Sequence, residues 1–292
     1  MTVLITRRAL RRTHLLRPDA ELSRLYRYVL AVVAQKFGIR VHAVVLMSTH
    51  EHLVVTDTRG TLPSFLRELH RLVALGVMVL RKWDGAVWDN QRPSVVQLRT
   101  PEAVIEKIAY LMANPVAAGL VRYAKDWPGV QTLPEQLGRA SLGATRPNAY
   151  FAQDNPLWPE HASIDLSMPE LGEWSDAEIR DAVRVQLAEQ EQQAQADVKA
   201  RGWSFMGAKR VLEGSPYDRA KSWEPLRGRN PQFAVGANQR QAFADAVAAL
   251  RGFRRAYRDA LDSWRAGVRT VLFPAGTWIM HVLHCVPVML AP

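Results

Sequence analysis

Two β-branched, apolar runs, Arg40–Met47 and Glu51–Thr56, are joined by a short connection through Ser48–Thr49, and no other feature constrains the fold as strongly. Runs of this kind with so short a link predict a pair of antiparallel strands. The segments on either side have helical periodicity instead. Asp19–Phe37 carries Leu22, Leu25, Tyr26, Val29, Leu30 and Val33 at helical spacing, and Gly38 follows where a helix end favours positive φ. Leu62–Trp83 places Leu66, Leu69, Val73, Val77 and Leu80 on one side. Thr2–Arg8 and Ser94–Leu98 are further strand candidates. Pro101 opens a helix that runs through Ile108 to about Asn114, where Pro115 disfavours continuation. The order β-α-β-β-α-β, followed by one more helix, predicts an α+β fold: a ferredoxin-like antiparallel sheet with helices on one face and the other face free for a site.

Beyond Trp127 the texture changes. Pro128, Pro134, Pro147, Pro156, Pro159 and Pro169 are scattered through polar sequence, which reads as a linker or irregular lobe. Ser175 with Glu178 three residues later forms a capping box for a helix reaching about Lys199, whose Glu189–Gln195 end is expected to be solvated. A second long helix, about Asn238 to Ala266, is expected to bury a stripe of Phe243, Val247, Leu250, Tyr257, Leu261 and Trp264. Arg269–Leu290 is apolar and proline-punctuated, and is expected to end as strands or a packed tail. The chain therefore divides, on this reading, into residues 1–130 and a linker plus mainly helical extension over 131–292.

The single cysteine, Cys285, excludes an internal disulfide framework and a multi-cysteine zinc site. With no apolar run of membrane-spanning length and no leader-like N-terminus, the expectation is a cytoplasmic protein without membrane association. Charge is unevenly spread. Residues 1–140 hold 20 Lys+Arg against 11 Asp+Glu, net +9, whereas residues 141–292 hold 18 against 17, net +1. A basic first half suits a polyanionic partner, because neutralised phosphates release counterions on binding.

Two segments carry candidate chemistry. In Met47-Ser-Thr-His50-Glu-His52-Leu-Val-Val55, strand alternation puts His50 and His52 on one face, where two neutral imidazoles can share a cation with a carboxylate or amide. The alternative is a pair of satisfied polar histidines on an exposed strand. The same alternation sends Glu51 to the opposite face, where it needs solvent or a cation. In Ile108-Ala-Tyr110-Leu-Met-Ala-Asn114-Pro115-Val-Ala-Ala-Gly119-Leu, Tyr110 and Asn114 are four apart and share a helix face, as a nucleophile and a neighbouring metal ligand would. A buried tyrosine and a helix-terminal asparagine are the plainer account of that pair.

Taken together, the H-x-H strand and the later Y-x-x-x-N-P-V-x-A-G-L segment resemble the HUH single-tyrosine transposases, most closely the REP-associated branch of bacteria. Ala86-Val-Trp88-Asp-Asn-Gln-Arg92 is similar to the W-x-x-x-R stretch of that branch, and the resemblance covers roughly residues 1–130. It implies that His50, His52 and Asn114 hold Mg²⁺ or Mn²⁺. Tyr110 is then the nucleophile that cleaves single-stranded DNA, often beside a hairpin, through a covalent 5′-phosphotyrosine. It also implies a place near the nucleoid. A DNA-binding derivative without nicking activity and a metal-dependent phosphodiesterase using water are the competing readings. Arg7, Arg8, Arg11 and Arg12 are expected to form a phosphate-gripping arm, with Arg92 as a further DNA contact; the alternative is a solvated charge run. Arg251, Arg254, Arg255 and Arg258 on the late helix, and His281, His284 and Cys285, read as a solvated face and as packing residues. Oligomeric state is not legible in the sequence.

Overall fold

The computed structural model describes residues 1–221 and 231–289; Leu290, the last residue of the expected tail, lies outside them. The first seven elements are β1 (Thr2–Arg8), α1 (Ala20–Phe37), β2 (Ile39–Met47), β3 (His50–Asp57), α2 (Leu62–Arg81), β4 (Ser94–Leu98) and α3 (Pro101–Ala117). The four strands lie in the order β2-β3-β1-β4, every pair antiparallel, which is the ferredoxin-like arrangement expected from the element order.

Alternation along the strands divides the apolar side chains between two cores. Val3 and Ile5 of β1 and Leu53 and Val55 of β3 join α1 and α2 on one face. Leu4, Val45, Met47 and Val54 point the other way, against Ile108, Leu111 and Met112 of α3. Each large apolar side chain so buried contributes roughly 1.5–3 kcal/mol. The crossover helices thus share one face, while the additional helix α3 covers much of the face expected to be open. Asp19 caps α1 by accepting from Leu22 N at 3.0 Å, and Gly38 closes it at φ 65°. Gly76 lets α2 approach α1, since a Cβ there would lie 2.5 Å from Leu25 Cδ1. Pro115 does not end α3: the helix continues to Ala117, and Gly119 at φ 69° turns the chain away. Proline lacks an N–H and so leaves a carbonyl one turn back unbonded, an effect tolerated this near a C-terminus.

Both sheet edges are covered, which removes sites for strand-to-strand association. Leu46 N donates to Val130 O, Thr132 N to Val44 O and Ser167 N to Val41 O along β2. The later elements of this part are β5 (Ser141–Thr145), β6 (His161–Asp165), α4 (Asp176–Ala200), α5 (Ala208–Glu213) and β7 (Phe233–Ala234), and β7 adds to β4 in parallel. The β5–β6 hairpin lies against α1, while α4 packs along α3. Its Gln/Glu-rich end is only partly solvated, with Ala194 and Val198 buried and Glu191 accepting from Ala124 N.

One compact unit consequently runs from Met1 to Gly236, well past the boundary expected at 130. The proline-rich stretch is not a linker: Leu142, Phe151, Ala162 and Leu166 enter the same core as Tyr28. The second unit, Ala237–Pro292, contains α6 (Arg240–Arg265) and α7 (Trp278–His284). Its core is small: Ala260, Phe273, Met280 and Val286, with Tyr257, Leu261 and Trp264 packed against it. The apolar stripe of α6 is therefore only partly buried, and Phe243 remains 54% exposed. Among the described residues no helix is long and apolar enough to cross a membrane.

Candidate active site

Strand β3 presents His50, His52, Val54 and Thr56 to the α3 face, and β1 lies beside it with Arg8 opposite His50 and Thr6 opposite His52. Near the β2–β3 turn the apolar contact with α3 gives way to polar groups. There α3 turns Tyr110 and Asn114, one helical turn apart, towards the histidines. Asn114 bridges the two imidazoles: its Oδ1 lies 3.1 Å from His50 Nε2 and its Nδ2 lies 3.3 Å from His52 Nε2. The two imidazole centroids are 4.8 Å apart, and His52 meets the Tyr110 ring edge to face at 5.6 Å. Tyr110 is 39% exposed, so its ring leans on the site while part of it faces solvent.

The remaining ring nitrogens are held by hydroxyls that sequence reasoning did not single out. Thr6 Oγ1 lies 2.8 Å from His52 Nδ1, and Thr49 Oγ1 lies 2.9 Å from His50 Nδ1. An amide N–H can only donate, so His52 Nε2 accepts from Asn114 and its Nδ1–H donates to Thr6. His50, facing the amide oxygen, donates from Nε2, and its Nδ1 pairs with the Thr49 hydroxyl. These proton positions follow from the hydrogen-bond network. Burial, then the neighbouring His50 and Arg8, hold the His52 imidazole well below the usual histidine range, which keeps it neutral. Thr6 was detectable only through cross-strand register, which the sequence does not display. Lys107, one turn before Tyr110, places its Nζ 5.8 Å from the Tyr110 ring centroid and ion-pairs with Glu106 at 2.6 Å.

The arginines are not gathered into one arm. Arg8 is on the histidine face, and its charge reaches His52. Arg7 points the other way. Its guanidinium donates to the Asp89 carbonyl at 2.9 Å and to the Gln91 carbonyl, and lies 6.0 Å from the Trp88 ring centroid. Burial lowers its pKa. Arg11 and Arg12 sit in the turn after β1 with φ of 52° and 55°, an uncommon conformation for residues with side chains. Arg92 is exposed in the loop that Arg7 secures. Glu51 is fully buried, away from solvent: it accepts from Tyr26 Oη at 2.7 Å and pairs with His70 Nε2 at 2.6 Å, an ion pair when His70 is protonated. Tyr26 and Tyr28 are buried in the core, and Tyr28 Oη donates to Pro159 O.

Two imidazoles and an amide oxygen form a donor set that suits a borderline divalent cation, leaving further coordination positions open. Among the described residues no group of three or more His, Cys, Asp and Glu side chains is placed to hold a metal, and His281, His284 and Cys285 assemble none. His281 instead hydrogen-bonds Val286 O, and His284 packs on Trp264.

No family model and no curated protein matches the chain. Among solved structures, it is similar to a REP-associated tyrosine transposase bound to a REP hairpin, with 18% identity and a TM-score of 0.39 over 60% of this chain and 92% of that one. It is also similar to a candidate transposase from Deinococcus radiodurans R1, with 19% identity and a TM-score of 0.28 over 33% of this chain and 78% of that one. Both structural neighbours are thus described in terms of transposition.

Proposed function

We propose that this protein cleaves and rejoins single-stranded DNA through a covalent phosphotyrosine on Tyr110, with its catalytic groups all inside residues 1–130. One observation carries this reading: His50 Nε2, His52 Nε2 and the Asn114 amide converge beside a partly exposed tyrosine on the same sheet face. The local basic charge of residues 1–140 and the motif resemblance point to the same substrate class.

His50, His52 and Asn114 would hold Mg²⁺ or Mn²⁺, which when bound supplies Lewis-acid polarisation of a phosphate oxygen and offsets charge developing on it. Thr6 and Thr49 fix the rings by their Nδ1 atoms, an orientation that keeps both Nε2 atoms on the site. Asn114 has its own side chain engaged by both histidines, so it is preorganised rather than recruited. Tyr110 Oη forms a bond to the scissile phosphorus while the bond from phosphorus to the 3′-oxygen breaks. The phenol proton ends on the departing 3′-hydroxyl, and DNA stays attached through its 5′-phosphate. Attack by another 3′-hydroxyl reverses these bond changes, so rejoining needs no nucleotide cofactor. Arg8, cross-strand from His50, adds positive charge where the phosphate is to sit.

A covalent-adduct assay tests this directly. The protein is incubated with labelled single-stranded hairpin DNA and Mn²⁺, then run on a denaturing gel beside Tyr110→Phe and His50→Ala/His52→Ala. A shifted band requiring metal, both histidines and Tyr110 is the expected result. Cleavage with no adduct, surviving in Tyr110→Phe, would replace the tyrosine mechanism with hydrolysis by water. Binding without cleavage would leave a DNA-binding protein that does not nick.

A further inference from the structure

A groove of about 540 Å³ lies between the first turns of α1 and strand β5, built from elements other than those that carry the histidines and Tyr110. Arg24 and Arg27, one turn apart on α1, line it together with Ser23, Thr145, Pro128 and Leu212. Its polar groups lack partners. Ser23 is 8% exposed, and its Oγ, buried at the groove wall, has no hydrogen-bond partner; Arg27 Nε is likewise buried and unpaired. Among the described residues neither Arg24 nor Arg27 has an ion pair or a hydrogen bond. The nearest capping carboxylate, Asp19, is already engaged by Leu22 N, Arg17 and Arg81. The donors open to the groove are the guanidinium N–H groups of Arg24, which is exposed, and of Arg27, which is half-buried.

The opposite wall is formed by β5. β5 pairs with β6 along one edge, and Arg146 N donates to Glu160 O while Leu166 N donates to Ala140 O at the two ends of the ladder. Antiparallel alternation then turns both the N–H and the C=O groups of Gly143 and Thr145 away from β6. Two guanidinium groups, with no carboxylate on the lining, are complementary to a tetrahedral oxyanion. We infer that this groove holds a backbone phosphate of the DNA strand at a point separate from the cleaved phosphodiester. The inference rests on the proposed DNA substrate, and its ligand chemistry, a phosphate, follows from the groove alone.

The test uses the full chain. Affinity for labelled hairpin DNA is measured by fluorescence anisotropy across a salt series for the wild type, Arg24→Gln/Arg27→Gln and Arg24→Lys/Arg27→Lys. Melting midpoints with and without inorganic phosphate are recorded on the same samples. Expected for the glutamine pair are binding weakened about tenfold for any sequence and a salt-dependence slope reduced by about one. The lysine pair should recover most of both, which excludes misfolding as the cause. An unchanged slope and affinity in the glutamine pair overturns the inference. So does loss of the phosphate-induced midpoint shift with DNA binding intact, which would make the groove a site for a free anion. The covalent adduct is a separate readout: its absence from the wild type would sink the tyrosine reading while the salt slope still reports on the groove.

Discussion

The two faces of strand β3 show how neighbouring polar residues come to do different work. His50 and His52 point towards α3, and Glu51, between them, points towards α1 and α2. On the Glu51 side the carboxylate is satisfied inside the fold: Tyr26 and His70 donate to it, His70 packs against Trp88, and the Trp88 indole N–H bonds back to His70 O at 2.8 Å. On the histidine side an amide lies between the rings and can be shared with a cation, and the neighbouring tyrosine reaches solvent. The strand supplies polar groups to both faces. What opposes them decides whether they are structural or available for chemistry.

The comparison is broken most severely by exchanging losses between the faces. Tyr110→Phe is expected to reduce covalent-adduct formation by more than about 10³-fold while moving stability by less than about 0.5 kcal/mol, since only a partly exposed hydroxyl is removed. Gel quantitation beside a urea melt checks both halves. Glu51→Ala should do the reverse. It leaves the Tyr26 hydroxyl and the His70 N–H buried without an acceptor and costs about 3–5 kcal/mol. Adduct yield per folded molecule is expected to persist, and its disappearance in folded protein would show that the two faces are coupled.

A third, somewhat smaller effect separates the faces by pH. His42, fully buried at the β2 bulge, donates from Nδ1 to Ser167 O and accepts the Thr56 hydroxyl at Nε2, both at 2.7 Å. Burial pulls its pKa down to about 4. Between about 4 and its unfolded value near 6.5 the unfolded chain binds more protons, so the folded state loses stability as pH falls through that window. The loss approaches roughly 3 kcal/mol, and the contribution is fully present above pH 6.5. His52, also depressed, adds to it with the same sign. Urea melts from pH 7.5 to 4 should show this slope, and His42→Gln should flatten it; an equally steep slope in that variant would move the effect elsewhere. The smallest effect is also the most local. Thr6→Val removes the acceptor of His52 Nδ1–H and should weaken Mn²⁺ binding about 10–100-fold by calorimetry without unfolding the sheet.

Much of the chain up to α4 was legible where its periodicities are strong and its breaks chemically marked. The β2–β3 hairpin, the Asp19 cap and the Gly38 terminus of α1, and the capping box of α4 all occur where local sequence places them. Pro115 was misleading because a helix tolerates proline in its last turn. The hairpin β5–β6 was illegible for a different reason: Leu142, Phe151, Ala162 and Leu166 are spaced by polar residues, and only their common destination against α1 reveals them as core. The apolar stripe on α6 was visible, yet its burial was overestimated because periodicity shows a face without showing what covers it.

Local sequence therefore determined the element order through α3, the sheet face of each strand residue in that part and the pairing of Tyr110 with Asn114 on one helix face. These depend on repeats of two and 3.6 residues, which act within a single element. Tertiary structure alone decided that α3 lies across the histidines, that Thr6 reaches His52, that Arg7 turns inward while Arg8 does not, and that Glu51 meets Tyr26 and His70. Such contacts join residues 19 to 82 positions apart, and they depend on cross-strand register and helix placement, which no local periodicity encodes.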